Sequence, residues 1–157
     1  MPATEDLERM LRAAALRVTR PRLAVLGAVH DHSHADTDAI IQVVRAHLGA
    51  VSHQAVYDVL RVLTRAGLVR CLQPKGSVAR YEARVGDNHH HVVCRSCGTI
   101  ADVDCVGEAP CLTADGTSYA IDEAEVIFWG RCPECAPAPA TGHEPPQAQR
   151  QESDRRV

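Results

Sequence analysis

Apolar positions along the first half of the chain recur at helical spacing. Leu7, Met10, Leu11 and Ala14 predict a helix over 5–15. The segment 17–26 restarts a helix, with Thr19 as its N-cap and Pro21 tolerated in the first turn. Residues 30–34 are a polar break. Asp36 or Thr37 then caps a helix whose apolar side carries Ile40, Ile41, Val44 and Leu48, and Gly49 stops it. Ser52 caps a further helix over 53–66, with Val56, Val59, Leu60 and Leu63 at i, i+3, i+4 and i+7, and Gly67 ends it. Strands over 68–72 and 78–82 flank a turn at 74–77. Helices followed by a two-stranded hairpin give the order of a winged helix–turn–helix domain.

The pattern changes after a hinge near 83–88, where Gly86, Asp87 and Asn88 interrupt it. Strands are expected over 90–94, 98–102 and 125–130. Two glycines and one proline within 107–118 weaken the helix expected between the last two strands. Pro, Ala, Gln, Glu and Arg dominate 137–157, which reads as a disordered tail. The predicted class is α+β: a winged-helix domain over 1–83, a small α/β metal-binding domain over 84–136, and the tail.

Composition adds two constraints. With three Tyr, one Phe and one Trp, the core must be built from Leu, Val, Ile and Ala. No apolar run approaches the roughly 20 residues that span a bilayer, and no basic stretch precedes an apolar one at the N-terminus, so a cytoplasmic location is expected. The net charge of -3 hides an asymmetry. Residues 1–80 hold 11 Lys/Arg against 7 Asp/Glu, whereas 81–157 hold 6 against 13. The basic half suits a phosphate backbone and the acidic half points elsewhere.

Seven cysteines, two pairs of them in CxxC spacing, argue for metal or redox chemistry rather than a disulfide scaffold. Cys94 and Cys97, followed by Gly98 for a tight turn, and Cys132 and Cys135 suit one tetrahedral structural Zn2+. Such an ion also explains how so short a domain stays folded. Cys71 falls in a predicted strand and is expected in the core, while Cys105 and Cys111 lie in a loop-like stretch.

A second centre is expected just upstream. On a strand His89 and His91 share a face and His90 points away. Glu82 and Asp102, on neighbouring predicted strands, offer oxygen ligands, and His32 or His34 from the polar break completes the set. Mixed nitrogen and oxygen donors favour iron, manganese or nickel. A ligand from each domain would let the ion set the angle between them.

The helix over 53–66 presents His53, Gln54, Tyr57, Asp58, Arg61 and Arg65 opposite its apolar stripe, side chains suited to base edges and phosphates. Ser52 stands at its N-terminus, an attractive end for phosphate. Arg17, Arg20 and Arg22 are expected phosphate contacts, and Lys75 lies at the wing tip.

These motifs, in this order, resemble those of the ferric uptake regulator family of bacterial metal-dependent repressors, over about residues 7–135. They are Arg17-Val-Thr-Arg-Pro-Arg22, His32-Ser-His-Ala-Asp36, Ser52-His-Gln-Ala-Val-Tyr-Asp-Val-Leu60, Gly67-Leu-Val69 and Arg80-Tyr-Glu82. His89-His-His-Val-Val-Cys-Arg-Ser-Cys-Gly98 and Cys132-Pro-Glu-Cys135 continue the series. Within the family the chain looks most like the iron-containing, peroxide-responsive actinobacterial branch often encoded beside a catalase-peroxidase. The resemblance implies structural zinc on Cys94, Cys97, Cys132 and Cys135, and a regulatory Fe2+ or Mn2+ on His32, Glu82, His89, His91 and Asp102. The family's spacing to the Ala-Asp pair favours His32 over His34. The resemblance further implies that the second domain, 84–136, is the dimerisation domain of a homodimer on an inverted-repeat operator, with Tyr57 as a base contact and His32 and His89 as the peroxide-oxidised ligands. Asp58 stands where many members have Arg, and Cys105 and Cys111 are not part of the common ligand set. The expected function is a repressor of oxidative-stress genes. An iron- or zinc-uptake regulator is the alternative within the class. An enzyme is not expected, because a four-cysteine site is closed and no HExxH is present.

Overall fold

The computed structural model describes residues 2–87, 89–104, 118 and 125–136. The expected tail over 137–157, the weak helix over 107–118 except residue 118, Cys105 and Cys111 lie outside the described residues.

The first half folds as α1 (Thr4–Ala13), α2 (Arg20–Asp31), β1 (Ala35–Asp36), α3 (Thr37–Leu48), α4 (His53–Arg65), β2 (Arg70–Leu72) and β3 (Arg80–Glu82). Each of the last three helices begins where a side chain satisfies an otherwise orphaned backbone donor. Thr19 accepts from the Arg22 amide, Asp36 from the Ala39 amide and Ser52 from the Ala55 amide. Pro21 sits in the first turn of α2, where no amide is needed. The apolar stripes of the four helices meet in one core that includes Leu11, Leu26, Ile40, Ile41, Val56, Leu60 and Leu63.

Both strands of the hairpin are shorter than expected, and a strand not anticipated joins them. β1 pairs antiparallel with β3, giving the order β1-β3-β2. Two residues carry too little alternation to announce a strand. Cys71 also departs from expectation: it is exposed, because Leu72 takes the core-facing position of β2. The wing turns through Gly76 at φ 84°, closed by the Ser77 amide donating to the Pro74 carbonyl at 3.0 Å.

The second sheet comprises β4 (His89–Cys94), β5 (Ile100–Asp104) and β6 (Ile127–Gly130), in the order β5-β4-β6. β4 is antiparallel to β5 and parallel to β6. Its register sets His91 opposite Asp102 and His89 opposite Asp104. Among the described residues no helix is long and apolar enough to cross a membrane.

Candidate metal centres and nucleic-acid interface

The two sheets meet around a group of buried polar side chains. Glu82, the last residue of β3, is fully buried. His34 precedes β1 in a left-handed conformation at φ 61°, uncommon for a residue with a side chain. Its amide donates to the Tyr81 carbonyl at 2.9 Å, and its own carbonyl accepts from Arg80 Nη1 at 3.0 Å. This clamped turn aims the imidazole at the second sheet. His34 Nε2 lies 3.0 Å from Glu82 Oε2 and 2.9 Å from Asp102 Oδ1. His91 Nε2 lies 3.0 Å from the same Glu82 oxygen and 3.7 Å from Asp102 Oδ1. The donor atoms of His34, Glu82, His91 and Asp102 all fall within 4.8 Å of one another. His89 borders them: its Nε2 is 3.2 Å from His91 Nε2, 3.3 Å from Glu82 Oε1 and 4.0 Å from Asp102 Oδ1.

The position expected for His32 is taken by His34. His32 caps the C-terminal end of α2 and is exposed. The left-handed turn, which residue spacing does not reveal, selects the later histidine. Glu82 and Asp102 also stand in separate sheets rather than on neighbouring strands, and they converge with His34 and His91 between them.

The donor chemistry fits a divalent cation. Two ring nitrogens face each other at 3.2 Å, so their lone pairs repel unless a proton or cation lies near both. Glu82 Oε1 is buried without a hydrogen bond, an expensive condition for a carboxylate oxygen. Burial pushes the Glu82 carboxyl up, but hydrogen bonds from His34 and His91 outweigh it and hold the group below its ordinary range. Asp87 Oδ1 accepts from His89 Nδ1 at 2.7 Å, which leaves Nε2 directed inward.

The four cysteines form a second cluster at the far end of β4. Gly98, at φ 74°, lets the chain turn back so that its amide reaches the Cys94 carbonyl at 2.9 Å. The Ala136 amide makes the same kind of turn onto the Cys132 carbonyl at 2.8 Å. Cys97 Sγ and Cys132 Sγ are 3.6 Å apart, too far for a disulfide and close to the roughly 3.75 Å edge of a tetrahedron with 2.3 Å zinc–sulfur bonds. Backbone amides of Cys132 and Cys97 pull the Cys94 thiol down to about 6, whereas the sulfurs of Cys132 and Cys97 push Cys135 up to about 12. Four thiolates cannot coexist here without a cation to offset their repulsion.

In the winged-helix half α4 turns an open face outward. Ser52, His53, Gln54, Tyr57, Arg61 and Arg65 are exposed, Tyr57 at 47%. Asp58 accepts from Gln54 Nε2 at 3.2 Å and Arg61 Nη2 at 3.0 Å, so it holds both neighbours on the helix surface. Lys75 is exposed at the wing tip, and Arg17 and Arg20 are exposed around the start of α2. Arg22 is half-buried and donates to the Arg17 carbonyl at 2.7 Å.

The sequence pattern of the ferric uptake regulator family matches residues 13–107. The chain is 67% identical over 138 residues to the transcriptional regulator FurA of Mycobacterium tuberculosis, covering 87% of this chain and 94% of that one. This chain belongs to the ferric uptake regulator family. Its similarity extends to the peroxide-responsive repressor PerR of Staphylococcus aureus, 30% identical over 134 residues, covering 83% of this chain and 90% of that one. In fold it matches the ferric uptake regulator Fur of Helicobacter pylori with a TM-score of 0.62 at 20% identity, covering 83% and 89% of the two chains. Within this ferric uptake regulator fold, two residues that sequence reasoning passed over shape the mixed-donor cluster. Arg80 fixes the His34 turn, and Arg84 binds three carboxylates of the linker and β5. Neither belongs to a metal-ligating residue type, so no spacing argument reaches them.

Proposed function

We propose that this chain is an iron-loaded, peroxide-responsive repressor of oxidative-stress genes, binding an inverted-repeat operator as a homodimer in the cytoplasm. Membership of the ferric uptake regulator family makes it a metal-dependent transcriptional regulator rather than an enzyme. The four cysteines would hold structural Zn2+. His34, Glu82, His89, His91 and Asp102 would hold Fe2+ or Mn2+, with His34 in place of the expected His32.

One observation carries this reading: the mixed-donor cluster draws its ligands from both sheets. His34 and Glu82 belong to the winged-helix half, and His91 and Asp102 to the second sheet. When bound, the ion supplies the charge that holds these donors together and, as ferrous iron, a reductant for hydrogen peroxide. The residues then fix how α4 is presented, and a dimer must present two such helices roughly 34–36 Å apart to read successive major grooves. Tyr57, Gln54 and His53 would meet base edges, while Arg17, Arg20, Arg22, Arg61 and Lys75 would meet phosphates. Oxygen added to the ring of His34 or His89 would remove a donor, loosen the link between the halves and release DNA.

Mass spectrometry of the iron-loaded protein after peroxide tests the reading. An added oxygen on the peptide of His34 or His89, together with lost operator binding, is expected. Unmodified histidines with intact binding would point instead to a regulator of iron or zinc uptake that senses metal alone.

A further inference from the structure

Arg84 lies in the linker two residues after Glu82 and touches no donor atom that faces the cluster. Its Nη1 reaches Asp102 Oδ2 at 3.4 Å and its Nη2 donates to Asp104 Oδ1 at 2.6 Å. Its Nε donates to Asp87 Oδ2. In each of the two carboxylates nearest the cluster, the guanidinium takes the far oxygen and leaves the near one. Asp102 Oδ1 stays 2.9 Å from His34 Nε2, and Asp87 Oδ1 stays 2.7 Å from His89 Nδ1. A planar fork of donors can hold several carboxylates in fixed directions, which a point charge cannot.

We propose that Arg84 is a positioning residue that sets the affinity and ion preference of the mixed-donor centre; this rests on the reading of that centre given above. Two consequences follow from the contacts. With Oδ2 engaged, Asp102 offers the ion a single oxygen, which keeps the donor set rich in imidazole nitrogen. With Asp87 fixed, the His89 ring keeps its hydrogen on Nδ1 and its lone pair on Nε2. Freed from Arg84, Asp102 can present both oxygens, a mode that large oxygen-seeking ions accept readily. Nitrogen-rich sets favour later transition ions over Mn2+. Loss of Arg84 therefore weakens binding and narrows the preference between such ions.

The test adds Co2+ or Mn2+ to the zinc-loaded full chain and follows the visible Co2+ bands and both affinities. Arg84→Gln is expected to weaken Co2+ binding about 10–100-fold, the usual cost of losing an outer partner of a metal ligand. It is also expected to shift the Co2+ bands and to lower the Co2+ to Mn2+ affinity ratio. Arg84→Lys, which keeps the charge, is expected to fall between the two and carries the test if the glutamine variant loses zinc. His91→Ala serves as the reference and is expected to erase the bands. If it leaves them unchanged, the centre itself is misassigned and the role of Arg84 falls with it. If His91→Ala erases the bands while both Arg84 variants match the parent in bands and affinity ratio, the centre stands and the positioning role is overturned.

Discussion

At the scale of the residue, the decisive feature is which histidine enters the cluster. His34 does so because a left-handed backbone, anchored through Tyr81 and Arg80, turns its ring toward Asp102. His32, the C-cap of α2, stays exposed to solvent. His34→Ala is therefore expected to lower affinity for Mn2+ by more than about 100-fold, beyond the effect of losing an outer partner, while His32→Ala leaves it within about 2-fold. Isothermal titration of the zinc-loaded protein reads both. The reverse order would restore His32 to the centre. Sequence patterns supplied four of the clustered donors, Glu82, His89, His91 and Asp102. They offered His32 or His34 as the fifth and could not choose between them, because a single turn conformation, not a spacing, brings His34 in.

At the scale of the element, capping and strand register do the positioning. Ser52 Oγ accepts from the Ala55 amide at 3.1 Å and starts α4, the helix that carries Tyr57 and Arg61. Ser52→Ala is expected to cost about 1 kcal/mol, measured by denaturant unfolding, with the metal clusters intact. A neutral substitution would mean that the cap contributes little. Thr19 and Ser52 were legible, and Asp36 was one of two candidates beside Thr37, since each is a short polar side chain placed just before an apolar helical period. β1 was not, because two residues cannot display a period, and its pairing depends on β3 far along the chain. The strand β4 was legible through its histidine alternation and the CxxC that ends it. Its parallel pairing with β6 is a tertiary choice that local pattern does not encode. Cys71 illustrates the same limit: a three-residue strand gives no alternation from which to choose its buried face.

At the scale of the whole molecule, the two candidate metal clusters divide the work. The cysteines tie the end of β4 to the segment after β6 and so brace the second sheet. The mixed-donor cluster ties that sheet to the winged helix, and Glu82, Asp87 and Asp102 concentrate negative charge where a cation would sit. Part of the charge asymmetry along the chain has a place in this geometry. The basic first half presents α4 and the wing outward, while the acidic second half supplies carboxylates to the linker and β5. The most direct test of this coupling is the affinity of the zinc-loaded protein for its own promoter DNA with and without Mn2+, an ion that avoids peroxide chemistry, in the parent and in His91→Ala. The parent is expected to bind at least about 10-fold tighter with Mn2+, a coupling of about 1.4 kcal/mol, and His91→Ala to bind weakly in both conditions while keeping its zinc. A His91→Ala protein that responds to Mn2+ as the parent does, or a parent that ignores Mn2+, would contradict the account.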